Sequence, residues 1–347
     1  MPELLGVRGL VKHFPVRRGF MGRQRATVHA VDGVSFSLGE NETLGLVGES
    51  GCGKSTTGFS ILRLIEPTSG EVWFRGENIL ALDHGQMRRL RRQMQIVFQD
   101  PFGSLNPRLT VERIIEEPLL NQEGLGGSER REQVAEAMAM VGLLPEHMTR
   151  FPHEFSGGQR QRICIARALV LKPSLVVGDE PVSALDVSVR AQVLNLMVKL
   201  QRQLNLSYLF ISHDLAVIRY VSHRVGVMYL GQIVELADAK TIYANPLHPY
   251  TVALLSAVPV PDPRRRRKRI ILRGDVPSPL NPPQGCRFNP RCPEMMPICK
   301  EQPPELRIVD TNHLVRCHLF DSGEVWNPLM TACEGRAGKN TLKGDTV

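Results

Sequence analysis

The apolar positions of this chain fall into two periods that alternate along it. Residues 43–47, 95–98, 175–179 and 208–211 are apolar almost without interruption, the pattern of strands buried on both faces of a parallel sheet. Helical spacing separates them, at 57–65, at 160–171 with Ile163, Ala166 and Val170, and at 187–204. Strand and helix in turn predict an α/β fold with a parallel sheet. Residues 4–14 and 28–38 alternate instead, and with 71–74 they predict a small separate sheet ahead of the core. A basic, glycine-containing insert at 17–25 parts the first two of these, and a very basic helix is predicted at 83–92. Ile114, Ile115, Leu119, Val134, Ala137, Met138 and Val141 give residues 110–141 a helical period, so a helical insertion divides two core strands. Beyond residue 235 the chain turns proline-rich and irregular.

The strand at 43–47 runs into Gly48, Glu49, Ser50, Gly51, Cys52, Gly53, Lys54, Ser55 and Thr56, and then into a helix. That is the context a phosphate-binding loop requires. Glycines let the backbone wrap with its N–H groups inward, and the helix aims the positive end of its dipole at the same point. Lys54 is placed to reach β- and γ-phosphates and Ser55 to offer a hydroxyl to Mg²⁺. Cys52, inside the loop, leads us to expect that thiol alkylation blocks nucleotide binding.

Other candidates stand where strands end. Gln99 follows one strand and can coordinate the metal. Asp179 and Glu180 close another: Asp179 can hold the hydration shell of Mg²⁺, and Glu180 can orient or deprotonate an attacking water. His213 follows a third and can hydrogen-bond a γ-phosphate. Gly178, just before the carboxylates, is expected to loosen the packing behind them. Phe14, where the chain leaves its first strand, is a strand-end core residue or a platform for a base. Ser156, Gly157, Gly158 and Gln159 open a helix and form a second anion-gripping loop. Two such loops with one lysine are explained if the second grips a nucleotide held by another subunit.

Composition narrows the setting. At 347 residues, 42% apolar and 22% charged, the chain is long enough for two or three folded domains. No apolar run approaches the ~18–20 residues of a membrane span, and the N-terminus lacks a signal pattern. An intracellular chain that does not itself cross a membrane is expected. Much of the net charge of +8 lies at 264–269, which reads as a solvated linker before it reads as a membrane or nucleic-acid contact. Of seven cysteines, Cys286, Cys292, Cys299 and Cys317 cluster in the proline-rich region. Disulfides are not expected in a cytosolic chain, so they are free thiols, a Zn²⁺ site or an iron–sulfur site; their spacing is wider than the paired cysteines of common zinc sites.

The order of the loop from Gly48 to Thr56, Gln99, the Ser156 to Gln159 loop, Asp179-Glu180, the Ser183 to Asp186 turn and His213 resembles an ATP-binding-cassette (ABC) nucleotide-binding subunit over residues 4 to about 235. The segments 99–107, 151–162, 246–250 and 285–293 resemble the dipeptide and oligopeptide importer subfamily, and more closely its F-type than its D-type ATPase. The resemblance implies a P-loop NTPase (RecA-like) core with an antiparallel β subdomain and a helical subdomain at about 100–172, within a cassette at 1–235. It implies a small irregular cysteine-containing domain at 236–321, and 322–347 is expected to be a disordered tail. Phe14, the loop residues, Gln99, Ser156 to Gln159, Asp186 and His213 would bind ATP. Ser55, Gln99 and Asp179 would hold Mg²⁺, and Glu180, His213 and Lys54 would be catalytic. Two subunits would pair head to tail, this one with a paralogous D-type ATPase, peripheral on the cytoplasmic face of the inner (plasma) membrane. Two transmembrane permeases and an extracytoplasmic substrate-binding protein would complete the importer. The four cysteines match a subfamily pattern associated with a [4Fe-4S] cluster, with Zn²⁺ the lesser choice. The readings set against this one are an importer of nickel or glutathione, and a soluble ABC ATPase acting on nucleic acid; no nucleic-acid partner is expected.

Overall fold

The computed structural model describes residues 2–18, 24–121, 124–258 and 269–321. Most of the basic run at 264–269, the tail from 322 and Cys333 lie outside them. The strands, in chain order, are β1 (Glu3–Arg18), β2 (Gln24–Gly39), β3 (Thr43–Val47), β4 (Ser69–Phe74), β5 (Glu77–Asn78) and β6 (Met94–Val97). They continue as β7 (Leu175–Asp179), β8 (Ser207–Ile211), β9 (Arg224–Tyr229), β10 (Gln232–Asp238), β11 (Arg307–Asp310) and β12 (His313–Val315).

Every residue of β3, β7 and β8 is buried, as uninterrupted apolar runs require. They form the centre of a sheet ordered β11-β12-β10-β9-β3-β8-β7-β6. Within it β9, β3, β8, β7 and β6 run parallel, so their carboxyl ends share one edge. Helices Lys54–Ile61, Gly157–Leu169 and Val187–Leu204 cross between these strands, and the buried stripe of the second includes Ile163, Ile165, Ala166 and Leu169. Each isoleucine or leucine side chain so buried contributes about 1.5–3 kcal/mol. A second sheet, ordered β2-β1-β4-β5, is antiparallel. The helical insertion comprises Val111–Glu116 and Gly127–Met140 packed on Gly157–Leu169.

Three boundaries differ from the sequence reading. The β1–β2 ribbon pairs as far as Arg18 with Gln24, so the described ends of the basic insert, 17–18 and 24–25, are strand; the apolar alternation lapses there although the backbone ladder continues. The helix expected to reach 65 ends at Ile61, and Arg63 takes a left-handed φ of 49° while its guanidinium donates to the carbonyls of Ile79 and Leu82. The C-terminal region is only partly irregular: β12 pairs with β10 and extends the core sheet, and β10 runs straight through position 235.

Glu235 ties this junction together. Fully buried, it accepts the N–H groups of Leu247 at 2.7 Å and His248 at 3.0 Å, and pairs with His313 Nε2 at 2.8 Å. The Nδ1 of buried His248 accepts the N–H of Tyr250 at 3.1 Å, which an imidazolium could not do. Burial lowers the His248 pKa to about 4. The unfolded chain, with histidine near its usual 6.5, therefore binds this proton first. Stability is full above about pH 6.5 and falls as the pH drops towards 4, by about 2 kcal/mol from this group between pH 7.5 and 5. Thermal unfolding should show Tm falling over that window, and His248→Gln, if it folds, should flatten the slope.

Candidate active site

The common edge of the parallel strands gathers the predicted chemistry. β3 leads into the phosphate loop, β7 ends at Asp179, β8 leads to His213 and β6 to Gln99, the placement open α/β sheets give their ligands. Two loop glycines are required by close approach. At φ 103° a Cβ on Gly53 would lie 2.1 Å from the Ala30 carbonyl oxygen, and one on Gly48 would lie 2.2 Å from that of Met228. Lys54, 5% exposed, donates from Nζ to the carbonyls of Gly48 at 2.8 Å and Glu49 at 3.0 Å, spanning the loop.

Ser55 Oγ donates to Asp179 Oδ1 at 2.7 Å, joining the two predicted metal-binding groups. Burial raises the Asp179 pKa, the Ser55 hydrogen bond and Lys54 opposing it. A divalent cation there would restore the carboxylate, so a hydroxyl and a desolvated carboxylate in contact fit Mg²⁺. Glu180 takes a left-handed φ of 49°, uncommon for its type, and its N–H donates to the Ile211 carbonyl at 2.9 Å. Its Oε2 accepts from Gln99 Nε2 at 3.1 Å and meets His213 Nδ1 at 2.9 Å. Two residues, each from beyond a different strand end, thus converge on one carboxylate oxygen at a third. Gly178 does not loosen what lies behind: a Cβ there would be 3.1 Å from the Pro181 ring and 3.8 Å from Phe210.

A cleft of about 450 Å³ lies here, lined by Ser50, Gly51, Gly53, Lys54, Ser55, Thr56, Gln99, Glu180 and His213. Val28, Ala30 and Pro279 complete its wall. Phe14 is not in the lining; it pairs across the ribbon with Val28 and lies under the Lys12 ammonium, 4.8 Å from its ring. Cys52 is 4% exposed and burial raises its thiol pKa, so the thiolate that an alkylating reagent needs is disfavoured and covered.

The second loop takes no part in this cleft. Ser156 caps helix Gly157–Leu169, its Oγ accepting from the Gln159 N–H at 3.4 Å while Gln159 Oε1 accepts from the Ser156 N–H at 3.0 Å. Gly158 lets that helix approach its neighbour, since a Cβ would meet Val189 at 2.3 Å. Asp186 caps Val187–Leu204 through the Val189 N–H at 3.0 Å, the contact that most lowers its pKa. Sequence reasoning missed Tyr250, Arg287 and Arg291, which reach this region from the C-terminal segment. Arg287 pairs with Asp32 and donates to the Leu230 carbonyl; Tyr250 and Arg291 both hold Glu49. Their partners Asp32 and Glu49 lie some 200 residues or more away, and no local pattern announces them.

The chain thus places a lysine loop and a carboxylate in one cleft and a serine–glycine loop outside it. That division, on this sheet, defines the ABC-type ATPases, which hydrolyse ATP. The profile of the ABC transporter family matches residues 31–183, and that of the oligopeptide/dipeptide transporter C-terminal region matches 234–299. The chain is 56% identical over 320 residues to the oligopeptide transport ATP-binding protein AppF of Bacillus subtilis, covering 91% of this chain and 97% of that one. It is 54% identical to a putative peptide import ATP-binding protein of Brucella ovis, over 90% and 97% of the two chains. Among solved structures, the ABC cassette MJ0796 bound to ADP and Pi superposes with a TM-score of 0.60 at 28% identity, over 68% of this chain and 98% of that one. The cbiO1 protein of Clostridium perfringens, part of the ABC transporter complex cbiONQ, gives 0.61 at 26%, over 70% and 92%. The chain belongs to the oligopeptide-transport ATP-binding proteins of the ABC transporter family.

Proposed function

We propose that this chain is the ATP-hydrolysing subunit of a membrane importer of dipeptides or oligopeptides. The observation that carries the reading is the match to peptide-transport ATP-binding proteins along both the cassette and the C-terminal region. Lys54 and the loop N–H groups hold the triphosphate, Ser55, Gln99 and Asp179 the Mg²⁺, and Glu180 with His213 the attacking water. Ser156 to Gln159, outside the cleft of their own chain, contact the nucleotide of a partner cassette in a head-to-tail pair, and Asp186 follows them to that interface. Phe14 stacks on the base from the ribbon beside the cleft. The pair closes on ATP and reopens on hydrolysis. The cassette spans about 1–235, the helical subdomain 100–172, and the C-terminal domain 236–321.

Among the described residues no helix is long and apolar enough to cross a membrane, so the path for peptide belongs to permease subunits. Phe102, 64% exposed and close in sequence to Gln99, offers them a contact. The partner cassette is a D-type paralogue, the assembly sits at the cytoplasmic face, and a binding protein delivers the peptide. Coexpression with permeases should carry the chain into the membrane fraction; equal recovery with and without them would exclude the docking.

Cys286, Cys292, Cys299 and Cys317 fit a [4Fe-4S] cluster. All four are free thiols, and burial raises the pKa of Cys286 and lifts Cys292 and Cys317 to about 12, with the neighbouring cysteines adding to it. Mutual proximity of buried thiols is relieved when a cationic metal group takes them as thiolates. A tetrahedral Zn–S₄ site needs sulfurs about 3.8 Å apart. Among the described residues no three of these sulfurs lie within 4.8 Å of one another, a spread that favours a larger cluster over zinc. The cluster would serve as a structural tie. Anaerobically purified protein should contain iron and labile sulfide, and their absence would refute the assignment.

A further inference from the structure

The phosphate loop is gripped from outside the nucleotide core, at its second residue. The Glu49 carboxylate takes a fork of two hydrogen bonds from Arg291, Nη1 to Oε2 at 2.7 Å and Nη2 to Oε1 at 3.2 Å. The Arg291 side chain is 8% exposed and that of Glu49 28%. The Glu49 N–H donates to Tyr250 Oη at 3.0 Å, so one loop residue is fixed by both backbone and side chain. These two partners are themselves immobilised. Tyr250 is buried against Tyr229, ring centres 4.7 Å apart, and Phe288, 5.5 Å; the Arg291 guanidinium lies 5.9 Å above the Tyr229 ring. Arg291 also ends the turn Asn289–Arg291, immediately before Cys292.

We propose that Arg291 and Tyr250 are positioning residues for the phosphate loop, through which the C-terminal segment sets the affinity of this site for a nucleoside triphosphate. The inference rests on reading the loop as the ATP site. Two physical effects run through the same contacts. Holding Glu49 orders the loop before ligand arrives, which removes part of the ordering cost of binding. Arg291 also neutralises a carboxylate that sits on the loop where a polyanion must bind; left bare, that charge repels the phosphates, and a partly buried charge stripped of its partner is costly. A bidentate arginine provides both, and lysine could supply the charge without the fork.

The two effects separate in a double-mutant cycle. Titration of the full-length chain with a fluorescent ATP analogue should give Arg291→Gln a Kd raised about tenfold, because it loses the order and exposes the charge. Glu49→Gln should raise it only about threefold, losing order alone. The double variant should resemble Glu49→Gln, since no charge is left to expose. Arg291→Lys should recover part of the loss, and Tyr250→Phe, which deletes one oxygen far from the cysteines, should raise Kd about threefold. In steady-state hydrolysis KM should move more than kcat. Arg291→Gln and Tyr250→Phe with wild-type Kd would overturn the proposal. So would a full Arg291→Gln defect persisting in the Glu49→Gln background, which would mean the substitution acts by unfolding the C-terminal segment. Failure of the wild-type chain to bind the analogue would instead condemn the reading of the loop.

Discussion

Replacing Glu180 with Gln stops ATP turnover and leaves ATP binding intact. The amide keeps the size of the carboxyl and its hydrogen bond with Gln99 or His213, but it cannot take a proton from water. Loss of a positioned general base lowers the rate by about 10²–10⁴-fold. Binding is spared because Glu180 faces the cleft as a negative charge among groups that must hold a polyanion, and removing it does not weaken them. Its backbone, held in a left-handed conformation by the N–H bond to Ile211, is unaffected by the change. Single-turnover and steady-state phosphate release, alongside a nucleotide titration, check both halves; multiple turnover at the wild-type rate would remove Glu180 from its role.

Lys54→Ala has the opposite signature. The ammonium is the cation at the centre of the loop, almost wholly buried and spanning the Gly48 and Glu49 carbonyls. Hydrogen bonds to charged groups are worth about 1.5–3 kcal/mol each, so losing its phosphate contacts should weaken ATP binding roughly 100-fold. Hydrolysis falls with it, because the substrate no longer occupies the site. The same titration reads the effect, with Tm as a check that the fold survives. The variant pair therefore separates a group that holds the nucleotide from one that acts on it.

Most of this site was legible because its chemistry sits at strand ends. Uninterrupted apolar runs located β3, β6, β7 and β8, and the polar residues following them, Lys54, Gln99, Asp179 with Glu180, and His213, had to share one edge once those strands ran parallel. The Ser156 helix start was legible from its capping pattern alone. Other features were hidden for physical reasons. The ribbon ends, Pro15 to Arg18 and Gln24 to Thr27, are strand without apolar alternation, so period-2 reading stops short of them. Glu235 looks like a surface residue by type, yet it is buried because two backbone N–H groups and His313 converge on it from distant segments. Arg291 and Tyr250 belong to the same class: their partner lies in the phosphate loop, and only the folded chain brings them to it.

The most direct test of the account is ATP hydrolysis by membranes holding this subunit with its permeases and paralogous ATPase, measured with and without binding protein loaded with a short peptide. The account predicts that loaded binding protein stimulates hydrolysis and that Glu180→Gln abolishes the stimulated rate. Equal rates with and without it, in an assembly that binds ATP, would contradict a peptide importer.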